Sequence, residues 1–158
     1  MLKLIKGGNI SDIKRELSRL LNEGSMSPKV RQMALQAIAD YSDDEQIRAI
    51  HLFVRDNVKY VSDPKDTELF IAPWIMCDLI ERGVAAGDCD DMALFTASLL
   101  KSIGYNTKII ILDTQGGGYD HAISEAFSNK TKEWLTLDPT GNKPVGWVFS
   151  YHSKMEVV

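Results

Sequence analysis

Two cysteines and three histidines are spread over 158 residues, and their positions decide which chemistry the chain can attempt. A cysteine is a nucleophile only as its thiolate, and a free thiol with a pKa near ~8.5 is mostly protonated at neutral pH unless a positive field or a base draws the proton away. Cys89 stands at the start of a predicted apolar helix, where unpaired backbone N–H groups and the positive end of the helix dipole favour an anion, with Asp88 and Asp90 working against it. Thiol catalysis also needs a histidine to carry the proton and a third group to hold the imidazole in one tautomer. His121 opens a predicted strand straight after Gly116-Gly117-Gly118, a place where rigid backbone can hold a side chain at a cleft. Asp138 closes a further strand before Pro139, and antiparallel pairing can bring its carboxylate beside His121.

Each of these residues alone has a plainer explanation: a core thiol, a loop histidine, a turn aspartate. Their order is what points to acyl chemistry, with a helix-start Cys, a strand-start His and a strand-end Asp. His51 falls inside a predicted helix, between Ile50 and Leu52, and reads as a packing or surface residue. His152 reads as part of a fraying C-terminus, and Cys77 as a small apolar residue in a short helix. Asp88, Cys89, Asp90, Asp91 and His121 could together suggest a metal site. They lack the glycine turn and terminal Glu of a calcium loop and the paired Cys or His of a zinc site, so no metal and no cofactor is expected. The glycine run has no following Lys-Ser/Thr and predicts a flexible hairpin near the cleft instead of a phosphate loop.

The elements that must position these residues follow from periodicity. Ser11 as N-cap, Ile13, Leu17, Leu20 and Leu21 at helical spacing and Gly24 as C-cap predict a helix over 11–23. Ser27-Pro28 opens a second helix with Val30, Met33, Ala34, Ala37 and Ile38 on one face. Ser42 with Glu45 reads as a capping box for a third helix, whose stripe of Ile47, Ile50, Val54 and Val58 runs towards Tyr60. Between Val61 and Ala72 the period is lost, with a turn at Asp63-Pro64, before a short helix from Trp74 to Arg82 ended by Gly83. Met92, Leu94, Phe95, Leu99, Leu100 and Ile103 predict a buried helix over 89–103, stopped by Gly104. Beyond it, the β-branched run 107–112, the alternating stretch from His121 to Phe127 and a strand from Glu133 to Leu137 form an antiparallel meander, with Trp147 to Tyr151 as a further edge strand.

The fold class is therefore α+β: N-terminal helices and a nucleophile-bearing helix packed against a small antiparallel sheet. The length suits one domain over 1–158, with a helical extension over 1–44, a catalytic core over 45–141 and a strand or tail over 142–158. Hydrophobic residues at 44% and charged residues at 25% are globular values. A net charge of −4, with the basic residues scattered, argues against nucleic acid as partner. Charges and glycines break the N-terminal MLKLIKGGNISD, and no stretch has the length of a membrane span, so a cytoplasmic protein with free thiols is expected, without membrane or disulfide.

The blocks Gly87-Asp88-Cys89-Asp90-Asp91-Met92-Ala93-Leu94, Asp120-His121-Ala122-Ile123-Ser124-Glu125-Ala126 and Glu133-Trp134-Leu135-Thr136-Leu137-Asp138-Pro139-Thr140 resemble the transglutaminase-like branch of the papain-like cysteine enzymes. The resemblance extends over roughly residues 45–141, and the size is similar to that of small stand-alone bacterial or phage-encoded members. It implies Cys89 as nucleophile, His121 as general base and acid and Asp138 as orienter. It also implies a protease, amidase or acyltransferase acting on a protein or peptide. The oxyanion and groove residues are read as the Cys89 N–H with Trp74 or Tyr60, and Asp88 beside them. The alternative is a non-catalytic binding or scaffolding module that retains the fold, for instance a phage virion component. The oligomeric state is not legible.

Overall fold

The computed structural model describes residues 2–6, 10–62 and 67–158. The expected turn at Asp63-Pro64 lies outside them. The chain has the expected α+β architecture, with five helices among the described residues and a four-stranded antiparallel sheet.

α1 (Ile10–Ser25) buries Leu17, Leu20 and Leu21. Two expectations at its ends are corrected. Ser11 lies inside the first turn instead of capping it. Gly24 is also inside the helix: a Cβ there would come within 2.5 Å of Pro73 Cγ and 3.0 Å of Ser98 Oγ, so glycine is needed for close helix packing and not for a left-handed cap. α2 (Pro28–Ala37) starts as predicted, with Ser27 Oγ accepting the Val30 N–H at 3.4 Å. α3 (Glu45–Asn57) does not use the Ser42 capping box. Its N-cap residue is Asp44, whose carboxylate accepts from the Ser128 hydroxyl and, at 3.2 Å, from the Lys130 N–H. A long-range turn claims this carboxylate and overrides the local cap.

β1 (Leu2–Lys6) pairs antiparallel with β3 (Thr67–Ile71), and β2 (Lys59–Tyr60) pairs parallel with β4 (Ala86–Gly87). The aperiodic stretch before Ala72 thus contains a strand that periodicity did not show. α4 (Pro73–Glu81) ends just before Gly83, whose φ of +72° suits glycine. α5 (Cys89–Ser102) is buried at every residue from Asp91 to Leu100, because α1 to α4 pack around it and the sheet lies along it. Each large side chain it hides, such as Phe95 or Leu99, contributes about 1.5–3 kcal/mol through burial.

The sheet comprises β5 (Thr107–Asp113), β6 (His121–Phe127), β7 (Trp134–Leu137) and β8 (Ser153–Val157), in the order β7-β6-β5-β8. The edge strand is therefore Ser153–Val157, not Trp147 to Tyr151, which is irregular. The Trp147 N–H bonds Pro144 O, and the Gly146 N–H bonds Thr136 O. These bonds strap the segment over the outer face of the sheet, where Phe149 packs on Ile110, Leu112 and Ile123. Among the described residues no helix is long and apolar enough to cross a membrane.

Candidate active site

Cys89 is the first residue of α5, and the residues around it form a reciprocal cap. The Asp88 carboxylate accepts the Asp91 N–H at 3.2 Å, and Asp91 Oδ2 accepts the Asp88 N–H at 3.1 Å. Asp91 Oδ1 also takes the Ile71 N–H at 2.8 Å, so this buried carboxylate joins the end of β3 to the start of α5. A Cβ on Gly87 would lie 2.8 Å from Asp91 Cβ, which explains the glycine two residues before the cysteine. Asp88, read from sequence as a groove residue, has its side chain engaged in this cap. The role of Asp91 was missed, although an acidic residue three positions after an N-cap aspartate is a recognisable capping pattern.

The Cys89 thiol is partly buried and meets the backbone N–H of Ala122, the residue after His121. Its pKa is pushed up, first by burial and then by Asp90 and Asp88; the Ala122 N–H acts in the opposite sense. Desolvation and two nearby carboxylates thus oppose the anion that a helix start favours.

His121 and Asp138 are brought together. His121 Nε2 lies 2.8 Å from Asp138 Oδ2, across the β6–β7 ladder in which Ser124 pairs with Leu137. Asp138 is 2% exposed, and its Oδ1 accepts the Thr140 hydroxyl at 2.6 Å and the Thr140 N–H at 3.2 Å. Burial alone would raise the Asp138 pKa, but the hydrogen bonds from His121 and Thr140 outweigh it and hold the pKa below its ordinary value. An ionised Asp138 only accepts, so Nε2 of His121 carries a proton and Nδ1 is left as its basic nitrogen. Thr140 has no role of its own in the sequence reading; its place two residues after Asp138, in Asp-Pro-Thr-Gly, is the available signal.

Around the pair, the Phe149 ring lies 5.8 Å from the His121 ring, with the Lys143 ammonium 5.3 Å from the Phe149 centroid. The glycine loop before His121 is tied down, contrary to the flexible hairpin expected. Asp113 accepts the N–H groups of Gln115, Gly116 and Gly118 at 3.2, 2.6 and 3.3 Å. Asp120 accepts the Thr114 N–H at 3.0 Å and its hydroxyl at 2.6 Å. His152 does not fray, since its N–H bonds Asp113 O at 2.7 Å as the chain enters β8.

Tyr60 pairs with Gly87 in the β2–β4 register, and the Val61 N–H bonds Gly87 O at 2.8 Å. This brings Tyr60 beside the segment leading into Cys89. Trp74 sits in the first turn of α4, half-buried against the cluster that Cys89 also joins. Cys77 is fully buried in α4, and burial pushes its thiol up to about 11.

The Cys89 thiol at the start of α5 thus meets the strand that carries His121, whose ring is paired with Asp138. The model of the transglutaminase-like superfamily matches residues 30–139, more than half of the chain, and the chain belongs to that superfamily. Solved structures agree on the fold. A candidate cysteine protease from Cytophaga hutchinsonii aligns at 19% identity with a TM-score of 0.57, covering 98% of this chain and 54% of that one. A candidate protease from Parabacteroides distasonis aligns at 13% identity and a TM-score of 0.56, covering 83% and 26%. LapG of Legionella pneumophila aligns at 17% identity and a TM-score of 0.52, covering 83% and 75%. The chain thus spans about half of the first of these proteins and about a quarter of the second. A comparison with curated proteins finds no significant relative.

Proposed function

We propose that the chain is a cysteine enzyme of amide acyl chemistry, with Cys89 as nucleophile, His121 as base and acid and Asp138 as orienter. The observation that carries this reading is the 2.8 Å contact between His121 Nε2 and Asp138 Oδ2, one residue from the N–H that meets the Cys89 thiol. In this mechanism His121 Nδ1 takes the thiol proton, and the sulfur attacks the carbonyl carbon of a peptide or protein amide. The Cys89 N–H, at the first position of α5 and outside the intrahelical ladder, supplies one donor to the oxyanion. As the C–N bond breaks, His121 returns the proton to the departing amine and a thioester remains on Cys89. Water then gives a protease or amidase, and a second amine gives an acyltransferase.

One observation favours the rival reading of a binding module without turnover: burial, Asp90 and Asp88 hold the resting thiol protonated. A thiolate forms here only if His121 accepts the proton. p-Nitrophenyl acetate tests this directly. The expected result is a burst of nitrophenolate with acetyl on Cys89 by intact-protein mass spectrometry, discharged to water or faster to added glycine ethyl ester. No burst, with acetyl only on lysines, would favour the binding module.

A further inference from the structure

His51 takes no part in the mechanism above, yet its setting ties it to that site. It lies on the inward face of α3 beside Ile47, Ile50 and Val54, and is 2% exposed. Among the described residues, three buried side-chain polar atoms have no hydrogen-bond partner: Ser98 Oγ, Ser124 Oγ and His51 Nδ1. The His51 ring is hydrogen-bonded to the Lys143 backbone, and the charges that act on it are those of Asp138 and of Arg55 and Arg48 from its own helix. Desolvation first, and then Arg55, push its pKa down, so the ring is neutral at pH 7 and has a single N–H to donate. With Nδ1 orphaned, that N–H belongs to Nε2, and the Lys143 carbonyl is its acceptor.

Stability alone does not explain a histidine here. Burying an imidazole with one nitrogen unsatisfied is costly, and an apolar side chain of similar size would avoid that cost. What an apolar side chain cannot do is hold a carbonyl of the turn that leaves Asp138. That turn already returns Thr140 to Asp138 Oδ1, while Asp138 Oδ2 meets His121. We propose that His51 is a positioning residue for the Asp138–His121 pair: wedged between α3 and the turn from Asp138 to Lys143, its ring pins the turn and thereby the carboxylate. The support runs from the His51 ring to the Lys143 carbonyl, through the turn and Thr140 to Asp138, and from Asp138 to His121. This role rests on the thiol mechanism proposed above.

The test measures Cys89 alkylation by iodoacetamide at pH 6.5 in wild type, His51→Leu, His51→Gln and His121→Ala. His51→Leu is expected to slow alkylation about 10-fold, less than His121→Ala, since a misplaced catalytic group loses only part of its effect. His51→Gln keeps a donor and is expected to recover most of the rate. The urea midpoint of His51→Leu should match or exceed that of wild type, which separates positioning from a structural role. Nitrogen-15 spectra of the histidine rings give a second reading without substitution: His51 should be the Nε2–H tautomer at pH 7. A His51→Leu protein that reacts like wild type while His121→Ala is slow would overturn the positioning role and leave the mechanism intact. A Gln variant as slow as Leu, or an Nδ1–H tautomer, would overturn it as well. If His121→Ala also reacted at the wild-type rate, the mechanism would fail and the role of His51 with it.

Discussion

Cys77 and Cys89 are twelve positions apart in sequence and occupy opposite kinds of surroundings. Cys77 is fully buried in α4, surrounded by core residues, and burial pushes its pKa up to about 11. Cys89 is only partly buried and stands at a helix start, yet its thiol is also pushed up, with two carboxylates adding to the desolvation. Position at a helix N-terminus therefore does not by itself separate a reactive thiol from an inert one. What distinguishes Cys89 is its company: the Ala122 N–H on the sulfur and the His121–Asp138 pair one residue away. Cys77 has no histidine in the sequence of its helix, and the charges that act on its thiol are Lys29 and Glu81.

The sharpest way to break this contrast is to remove the imidazole. His121→Ala should slow iodoacetamide labelling of Cys89 at pH 6.5 by about 10²-fold or more, the lower range for a lost general base. Its labelling should then be no faster than that of Cys77, whose own rate should not change. Equal loss at both thiols would mean that the fold, and not the base, had been lost.

A smaller effect sharpens the contrast from the structural side. Asp91→Ala removes the acceptor that joins β3 to the start of α5 and half of the capping box. Urea unfolding should show a loss of about 2–4 kcal/mol, the range for cutting hydrogen bonds to a buried charged group together with a helix cap. Cys89 should gain exposure as its helix start frays, while Cys77 remains protected in α4. An unchanged unfolding midpoint would show that the cap does not hold the thiol in place.

Much of this arrangement was legible in the sequence, and the exceptions have a common cause. The apolar stripes of α1, α2, α3 and α5 and the alternation of β6 are local patterns, and each element formed where its period placed it. Cys89, His121 and Asp138 were visible because each sits at the end of such an element. What stayed hidden depends on partners far along the chain. Leu2 pairs with Ile71, and Tyr60 with Gly87, and two short strand pairs of this kind depend on partners that local periodicity does not reveal. Asp44 outcompeted Ser42 at the start of α3 because Ser128 and Lys130 reach it from another part of the chain. Trp147 to Tyr151 has strand-forming aromatics, but bonds to Pro144 and Thr136 draw it into a strap, leaving the alternating Ser153–Val157 to pair with β5. His51 reads as a packing residue until the fold bonds its ring to the Lys143 backbone.

The most direct test of the account is the pH dependence of alkylation at the two thiols of the wild-type protein, followed site by site by mass spectrometry. Cys77 should react slowly, its rate rising about tenfold per pH unit across the neutral range, as expected for a buried thiol whose thiolate becomes populated only towards pH 11. Cys89 should react well below that range, with a rate that levels off near neutrality, because proton transfer to His121 supplies thiolate there. A Cys89 profile that rises monotonically alongside that of Cys77, with no plateau near neutrality, would contradict the proposed partnership of Cys89, His121 and Asp138.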